Sequence, residues 1–332
     1  MTSKNILILC GGGGTEHEVS LVSANFFQNI LEENKEYAIH KVTIEKDSTR
    51  TYQDGRKCEL RRAGEIVIEG NETIQIDFAI PVIHGPPGES GEIPAVFELM
   101  NLPYFGSTHE TSTICFNKIT TKLWLESLNI PVTPYVYLTE YDEANILKLK
   151  DFFKIHKNIF LKASNQGSSV GCYPVGSESN LDSHLKKCFE FSPYVLAETS
   201  VVGRELEVSV YEYEGSIQVS DPGEIICPAG FYSYEEKYNN ESQTQTLAKA
   251  ENLSPEIIKK VKDYARRAFI GLKIRHLARI DFFLTSTGSI YLNEPNTFPG
   301  HTPISMFPMM LEGNGHNYRT FLDGIISKEL NS

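Results

Sequence analysis

The chain of 332 residues has only six cysteines (Cys10, Cys58, Cys115, Cys172, Cys188 and Cys227), and none forms a C-x-x-C pair. Scattered thiols exclude a disulfide framework and a cysteine-ligated zinc site, and they fit a reducing cytoplasm. Long apolar runs are missing too. Ile6–Cys10 opens the chain but glycines follow at once, so it is too short for a signal peptide or a membrane span. Positive charge is scarce: 43 acidic residues stand against 31 Lys and Arg, for a net charge of −12. A nucleic-acid partner, which needs a basic face, is thereby excluded. No repeat or low-complexity segment occurs. The first glycine turn lacks G-x-G-x-x-G and its acidic ribose partner, which disfavours a dehydrogenase.

What remains is an ordinary globular composition, 40% hydrophobic and 22% charged, long enough for two or three domains. Asn5–Cys10 reads as a buried strand, Gly11–Gly14 as a tight turn, and Val19, Val22, Phe26, Phe27, Ile30 and Leu31 recur at helical spacing. Strand, glycine turn and helix open a doubly wound α/β domain, with a ligand site expected at the helix N-terminus. Glu16 falls in the first helical turn, where an acidic residue also suits the helix dipole for purely structural reasons. Tyr37–Ile44 is a second strand, and 66–69 with 74–76 a short hairpin. Phe78–Ile83 is a further buried strand that ends in His84-Gly85, at the edge where such sheets bind ligands, although a lone His is more often structural.

Further on, Asn117-Lys118 starts a helix through Leu128, a strand runs over 135–138, and a helix spans 143–156. The strand Asn158–Lys162 leads into Ala163-Ser-Asn-Gln-Gly-Ser168-Ser169-Val-Gly171 and the strand 172–175. This glycine–serine loop is not a P-loop, yet its amides and hydroxyls suit phosphate oxygens, and Lys162 adds a point charge. A flexible hairpin tip would read the same way. A helix over 180–191 and a strand over 194–198 follow. Strand Gly203–Tyr211 turns at Glu214-Gly215, and 227–246 is a long polar and aromatic loop of the kind that serves as a lid. Ser254 and Pro255 cap a helix to Ile270, and a last helix covers 317–328.

Between these helices lies Leu277–Ser305. Two apolar runs flank Thr-Ser-Thr-Gly and read as a β-hairpin, after which N-E-P-N-T-x-P-G breaks the second strand. Alternation puts Arg279 and Asp281 on one face, and Glu294 and Asn296 on one face of the partner strand. Pairing gathers three oxygen donors beside an arginine, a set that suits Mg²⁺ held together with substrate phosphates. Ordinary solvated carboxylates on a surface hairpin are the plainer alternative.

Taken in order, the chain resembles the D-alanine–D-alanine ligases, members of the ATP-grasp superfamily, over nearly its whole length. The resemblance is carried by G-G-x-x-x-E-H-E-V-S at Gly11–Ser20, His84-Gly85, F-E-L-M-N-L-P-Y-F-G-S at Phe97–Ser107 and Lys118. It continues in K-x-S-x-x-G-S-S-V-G at Lys162–Gly171, Glu198 with Glu205, F-Y-x-Y-x-x-K-Y at Phe231–Tyr238, A-R-I-D at Ala278–Asp281 and N-E-x-N-T-x-P-G at Asn293–Gly300. It implies an ATP-grasp α/β fold: an N-terminal parallel-sheet domain over 1–106, a central α+β unit over 107–197, and a C-terminal α+β unit over 198–332. Lys118, Lys162, Ser169 and Lys237 would hold ATP phosphates. Glu198, Val201, Glu205 and Asn293 would take the rest of the nucleotide, Glu198 at the adenine amino group and Glu205 at the ribose. Asp281, Glu294 and Asn296 would bind two Mg²⁺ or Mn²⁺. Glu16 would hold the first D-alanine's ammonium and connect through Ser168 to Tyr238 in the lid, with Val19 and His84 nearby. Arg279 and the Gly300 amide would stabilise an oxyanion, and Ser305 with Met306 would hold the second D-alanine.

The implied activity is ligation of two D-alanines through an acyl phosphate for peptidoglycan precursors and hence cell-wall biogenesis, by a cytoplasmic homodimer. A D-alanine–D-lactate ligase, another carboxylate–amine ligase, and a catalytically silent nucleotide-binding relative stay open. Pro86-Pro87, Cys115-Phe-Asn117, Ala163, Gln166 and Glu198-Thr-Ser-Val201 depart from the usual family pattern. None of them removes a charged group.

Overall fold

The computed structural model describes residues 3–227, 244–302 and 304–331. Its opening strand Lys4–Gly11 pairs in parallel with Tyr37–Ile44 on one side and Phe78–Val82 on the other, and Arg50–Tyr52 adds an antiparallel edge. Alternation splits the apolar run: Ile6, Ile8 and Cys10 enter one core, Leu7 and Leu9 another. The first core is covered by helix His17–Glu32. The second is closed by a three-stranded sheet, Cys58–Arg61, Glu65–Ile68 and Glu72–Gln75, and by helix Glu92–Met100. Burial on both faces is why the strand reads as unbroken hydrophobics.

Helix His17–Glu32 departs from the expected stripe. Val22 is 52% exposed, and the buried face runs through Ser20, Ser23, Ala24, Phe27 and Leu31. Small residues let the helix lie close to the sheet, and the Ser20 hydroxyl donates to Val82 O while accepting from Gly11 N. Gly11 has φ of +87°, and a Cβ there would sit 2.3 Å from Ile44 O, so the turn requires glycine. Glu16 is the N-cap residue of this helix; it precedes the first turn, where the sequence placed it.

The central sheet is antiparallel, in the order Cys172–Val175, Ile159–Ala163, Val195–Thr199, Tyr135–Leu138, and carries helices Glu143–His156 and Leu181–Phe191. Its core lies wholly within residues 138–197. The third sheet is also antiparallel: Gln245–Leu247, Gly223–Ile226, Gly203–Tyr213, Leu277–Thr285, Ile290–Asn296, with Ser216–Val219 beside Gly203–Tyr213. Helix Pro255–Gly271 covers it, capped by the Ser254 hydroxyl accepting from Ile257 N at 3.3 Å. The expected break after Glu294 does not occur. Pro295 stays in the strand opposite Ile280, which an edge strand permits because one side of its ladder needs no N–H.

Two helices had no clear periodic signal, His109–Phe116 and Met306–Gly313. The last helix, Tyr318–Leu330, sends Tyr318, Phe321, Leu322 and Ile325 into the core that holds Ile6, Phe27 and Phe78. The two ends of the chain therefore share one hydrophobic core. No helix among the described residues is long and apolar enough to cross a membrane.

Candidate active site

A cleft of about 920 Å³ runs from the N-terminus of helix His17–Glu32 between the central and third sheets. Glu16, Val19, His84, Lys118, Lys162, Ser168, Ser169, Glu198, Val201, Glu205, Arg279, Asp281, Asn293, Glu294, Asn296, Gly300, Ser305 and Met306 all line it. Lys237 and Tyr238 lie outside the described residues, as does most of the 227–246 loop.

At the N-terminal end the Ser168 hydroxyl donates to Glu16 Oε1 at 2.6 Å, across 152 residues of chain. Ser168 and Ser169 have φ of +47° and +61°, left-handed values that cost a non-glycine residue free energy and cluster at functional sites. His84 is buried, shares a 2.9 Å hydrogen bond with the Ser23 hydroxyl, and lies 3.6 Å from Glu89. Burial raises the Glu89 pKa, outweighing the hydrogen bond from His84, and Glu16 adds to the rise. Glu89, in the loop after His84, belongs to the cleft and had not been singled out from the sequence.

The middle of the cleft is built on lysines. The Lys118 ammonium donates to Gln166 O at 2.5 Å, tying the helix Lys118–Ser127 to the glycine–serine loop. Burial lowers its pKa while Glu294 opposes the shift. Glu198 is 2% exposed, and one carboxylate oxygen meets the Lys162 ammonium while the other lies 2.9 Å from Lys122. Burial works against this carboxylate, but Lys122 and then Lys162 outweigh it and hold its pKa well below the usual range. Burial lowers the Lys122 pKa against the pull of Glu198; for Lys162, Glu198 overcomes burial and raises it. The Glu198 carboxylate, expected at an adenine amino group, lines the cleft and is paired here with Lys162 and Lys122.

At the far end the hairpin pairs as expected, Arg279 opposite Asn296 and Asp281 opposite Glu294, with a register shift after Asp281. Arg279 grips Asp281 through two 2.8 Å hydrogen bonds, and its Nε lies 3.2 Å from Glu207. Asn296 donates its side-chain amide to Asp281 at 2.9 Å. Glu207 also lines the cleft and was missed. The signal was available, since Glu205 and Glu207 share one face of Gly203–Tyr213.

Asp281, Glu294 and Asn296 offer hard oxygens beside Glu207 and the Arg279 guanidinium, a donor set that fits divalent cations taken up with phosphates. Beyond the hairpin, the Ser305 hydroxyl bonds the Thr302 amide at 3.0 Å and the Thr302 hydroxyl at 2.8 Å, 3.1 Å from where a Cβ on Gly300 would stand.

A two-sheet nucleotide cleft with lysines on one wall and oxygen ligands on the other defines an ATP-grasp fold. Family models for the N-terminal and C-terminal parts of D-alanine–D-alanine ligase match residues 5–107 and 124–327. A D-alanine–D-alanine ligase of Shewanella frigidimarina is 47% identical over 99% of both chains. The crystal structure of D-alanyl-alanine synthetase A from Vibrio cholerae superposes with a TM-score of 0.95 at 48% identity, covering 100% of both chains. That of a D-Ala:D-Ser ligase from Enterococcus faecalis gives 0.87 at 26% identity, over 98% of this chain and 99% of the other. The chain belongs to the D-alanine–D-alanine ligase family.

Proposed function

We propose that the protein joins two D-alanines to D-alanyl-D-alanine with ATP, giving ADP and phosphate, as a cytoplasmic homodimer that supplies peptidoglycan precursors. One observation carries the reading: a single cleft joins the Glu16–Ser168 pair, the Lys118 and Lys162 ammoniums, and the Arg279–Asp281–Asn296 cluster.

ATP would lie between the two sheets with its phosphates on Lys118, Lys162 and the Ser169 loop, and its ribose on Glu205. Thr199–Val201 and Asn293 complete the nucleotide site. Asp281, Glu294 and Asn296 would hold two divalent cations, Mg²⁺ or Mn²⁺, which offset phosphate charge and polarise the transferred group. Glu16 receives the first D-alanine's ammonium, and its bond from Ser168 fixes the carboxylate that does so, with His84 and Val19 on the same wall. The substrate carboxylate oxygen attacks the γ-phosphorus, the bond to ADP breaks, and an acyl phosphate forms. The amine of the second D-alanine, held by Ser305 and Met306, then attacks the acyl carbon. The Gly300 amide and Arg279 stabilise the oxyanion. The C–O bond to phosphate breaks and the amine proton is lost. Positioning and fixed charge do this work without a protein nucleophile.

The experiment is phosphate release with ATP and Mg²⁺ over a panel of D-alanine, D-serine, D-lactate and L-amino acids, with products identified by mass. D-alanyl-D-alanine as the dominant product is expected. Dominance of a depsipeptide or of D-alanyl-D-serine would replace the second substrate, and no amino-acid-dependent release would leave a nucleotide-binding protein. An amide product also fits Tyr238 in the expected lid, because a neutral phenol does not repel an incoming ammonium as a protonated His would.

A further inference from the structure

Lys122 lies one helical turn beyond Lys118, and only 2% of its side chain is exposed. Its ammonium donates to the Thr133 hydroxyl at 2.7 Å and lies 2.9 Å from Glu198 Oε2, and the same hydroxyl donates to that oxygen at 3.0 Å. The other oxygen of Glu198 holds Lys162. Lys162 and Glu198 line the cleft, whereas Lys122 stands behind them. One negative charge is thus shared by two positive ones, and the surplus positive charge reaches the cleft at Lys162.

We propose that Lys122 is a positioning residue for the nucleotide: it occupies half of the Glu198 carboxylate and so leaves Lys162 electropositive toward phosphate. The proposal rests on the assignment of Lys162 to ATP. Without Lys122, Glu198 would turn its full charge on Lys162 and neutralise it as a one-to-one pair. Thr133 cannot replace the lost charge, because a hydroxyl only donates a hydrogen bond. The spacing has a further consequence. Lys118 and Lys122 share a helix face, so one element delivers both a cation that meets the ligand and a cation that tunes its partner.

The test is calorimetric binding of ATP with Mg²⁺, without amino acid, beside steady-state KM values for ATP and D-alanine. Lys122→Met is expected to weaken ATP at least about tenfold, in keeping with the large effect of breaking a buried pair from one side, while the D-alanine KM moves little. Adding Glu198→Gln to it removes the uncompensated anion and should restore much of the lost affinity. If Lys122 were only structural, the second substitution would deepen the defect or leave it unchanged, and either result overturns the proposal. Unchanged ATP binding in Lys122→Met overturns it as well. Lys162→Met separates the two levels: if that variant binds ATP normally, the assignment of Lys162 has failed, and the proposal with it. Should Lys122→Met not fold by circular dichroism, Lys122→Gln takes its place, alone and together with Glu198→Gln, and the same outcomes support or overturn the proposal.

Discussion

Individual side chains divide into those whose chemistry faces the cleft and those buried without an evident partner. Glu294 belongs to the first group. Replacing it with Gln keeps the shape and removes one anionic ligand, so turnover should fall by about a hundredfold or more with an unchanged circular dichroism spectrum. Activity within a few-fold of the parent would show that Glu294 does not hold metal. His301 belongs to the second group. It is fully buried, its ring lies 4.8 Å from that of Phe27 with Phe298, Phe307 and Tyr318 around it, and neither nitrogen makes a hydrogen bond among the described residues. Burial, with the nearby His84 adding to it, outweighs the Pro299 backbone and pushes its pKa down to about 3. The unfolded chain binds a proton at this residue below its ordinary pKa near 6.5, and the folded chain does not until about pH 3. Stability from this group is therefore complete above 6.5 and is lost as pH falls, at roughly 1.4 kcal/mol per pH unit within that window. His301→Phe should fill the same aromatic box and flatten the acid side of the stability curve. Urea midpoints at pH 7 and pH 5 check this, and an equal drop in both proteins would show that His301 does not set the slope.

Elements with strong local signals were the ones the sequence disclosed. The helix Pro255–Gly271 has its cap, its proline at N1 and its apolar stripe in view, and the structure places it as expected. Removing the cap oxygen with Ser254→Ala should cost about 1 kcal/mol of stability and leave catalysis alone. Denaturant titration measures it, and a loss below about 0.3 kcal/mol would mean that solvent serves the Ile257 amide equally well. The hairpin was legible for the same reason, since alternation and a four-residue turn fix which side chains meet. What stayed hidden depends on contacts far apart in sequence. Ser20 and Ser23 gave no apolar stripe because their hydroxyls are used by Val82 and His84, about 60 residues away. Lys122 carries no signal of its own within the helix, and only the approach of Thr133 and Glu198 makes it a core residue. Pro295 looked like a strand breaker, and only the sheet order shows it on an edge.

For the molecule as a whole, the decisive feature is how the cores are shared. One core joins Ile6, Phe27, Phe78 and Phe105 from the first third of the chain to Tyr211, Leu277, Phe307 and Phe321 from the last. The sheet of residues 135–199 keeps a core of its own. Cooperative units follow buried contacts rather than chain order, so the two ends should open together and the central sheet should open separately at lower free energy. This arrangement suits a nucleotide cleft, because one wall can move while the floor that carries Glu16 and Arg279 stays rigid. Native-state hydrogen exchange read by peptide is the measurement. Strand Lys4–Gly11 and helix Tyr318–Leu330 are expected to share one opening free energy, with Val195–Thr199 exchanging through a smaller one. Phe27→Ala, which empties the centre of the shared core, should lower the first value by about 3–5 kcal/mol and leave the second nearly unchanged. Were Lys4–Gly11 to exchange independently of the last helix, the ends would be separate units. The cleft would then lack a rigid floor.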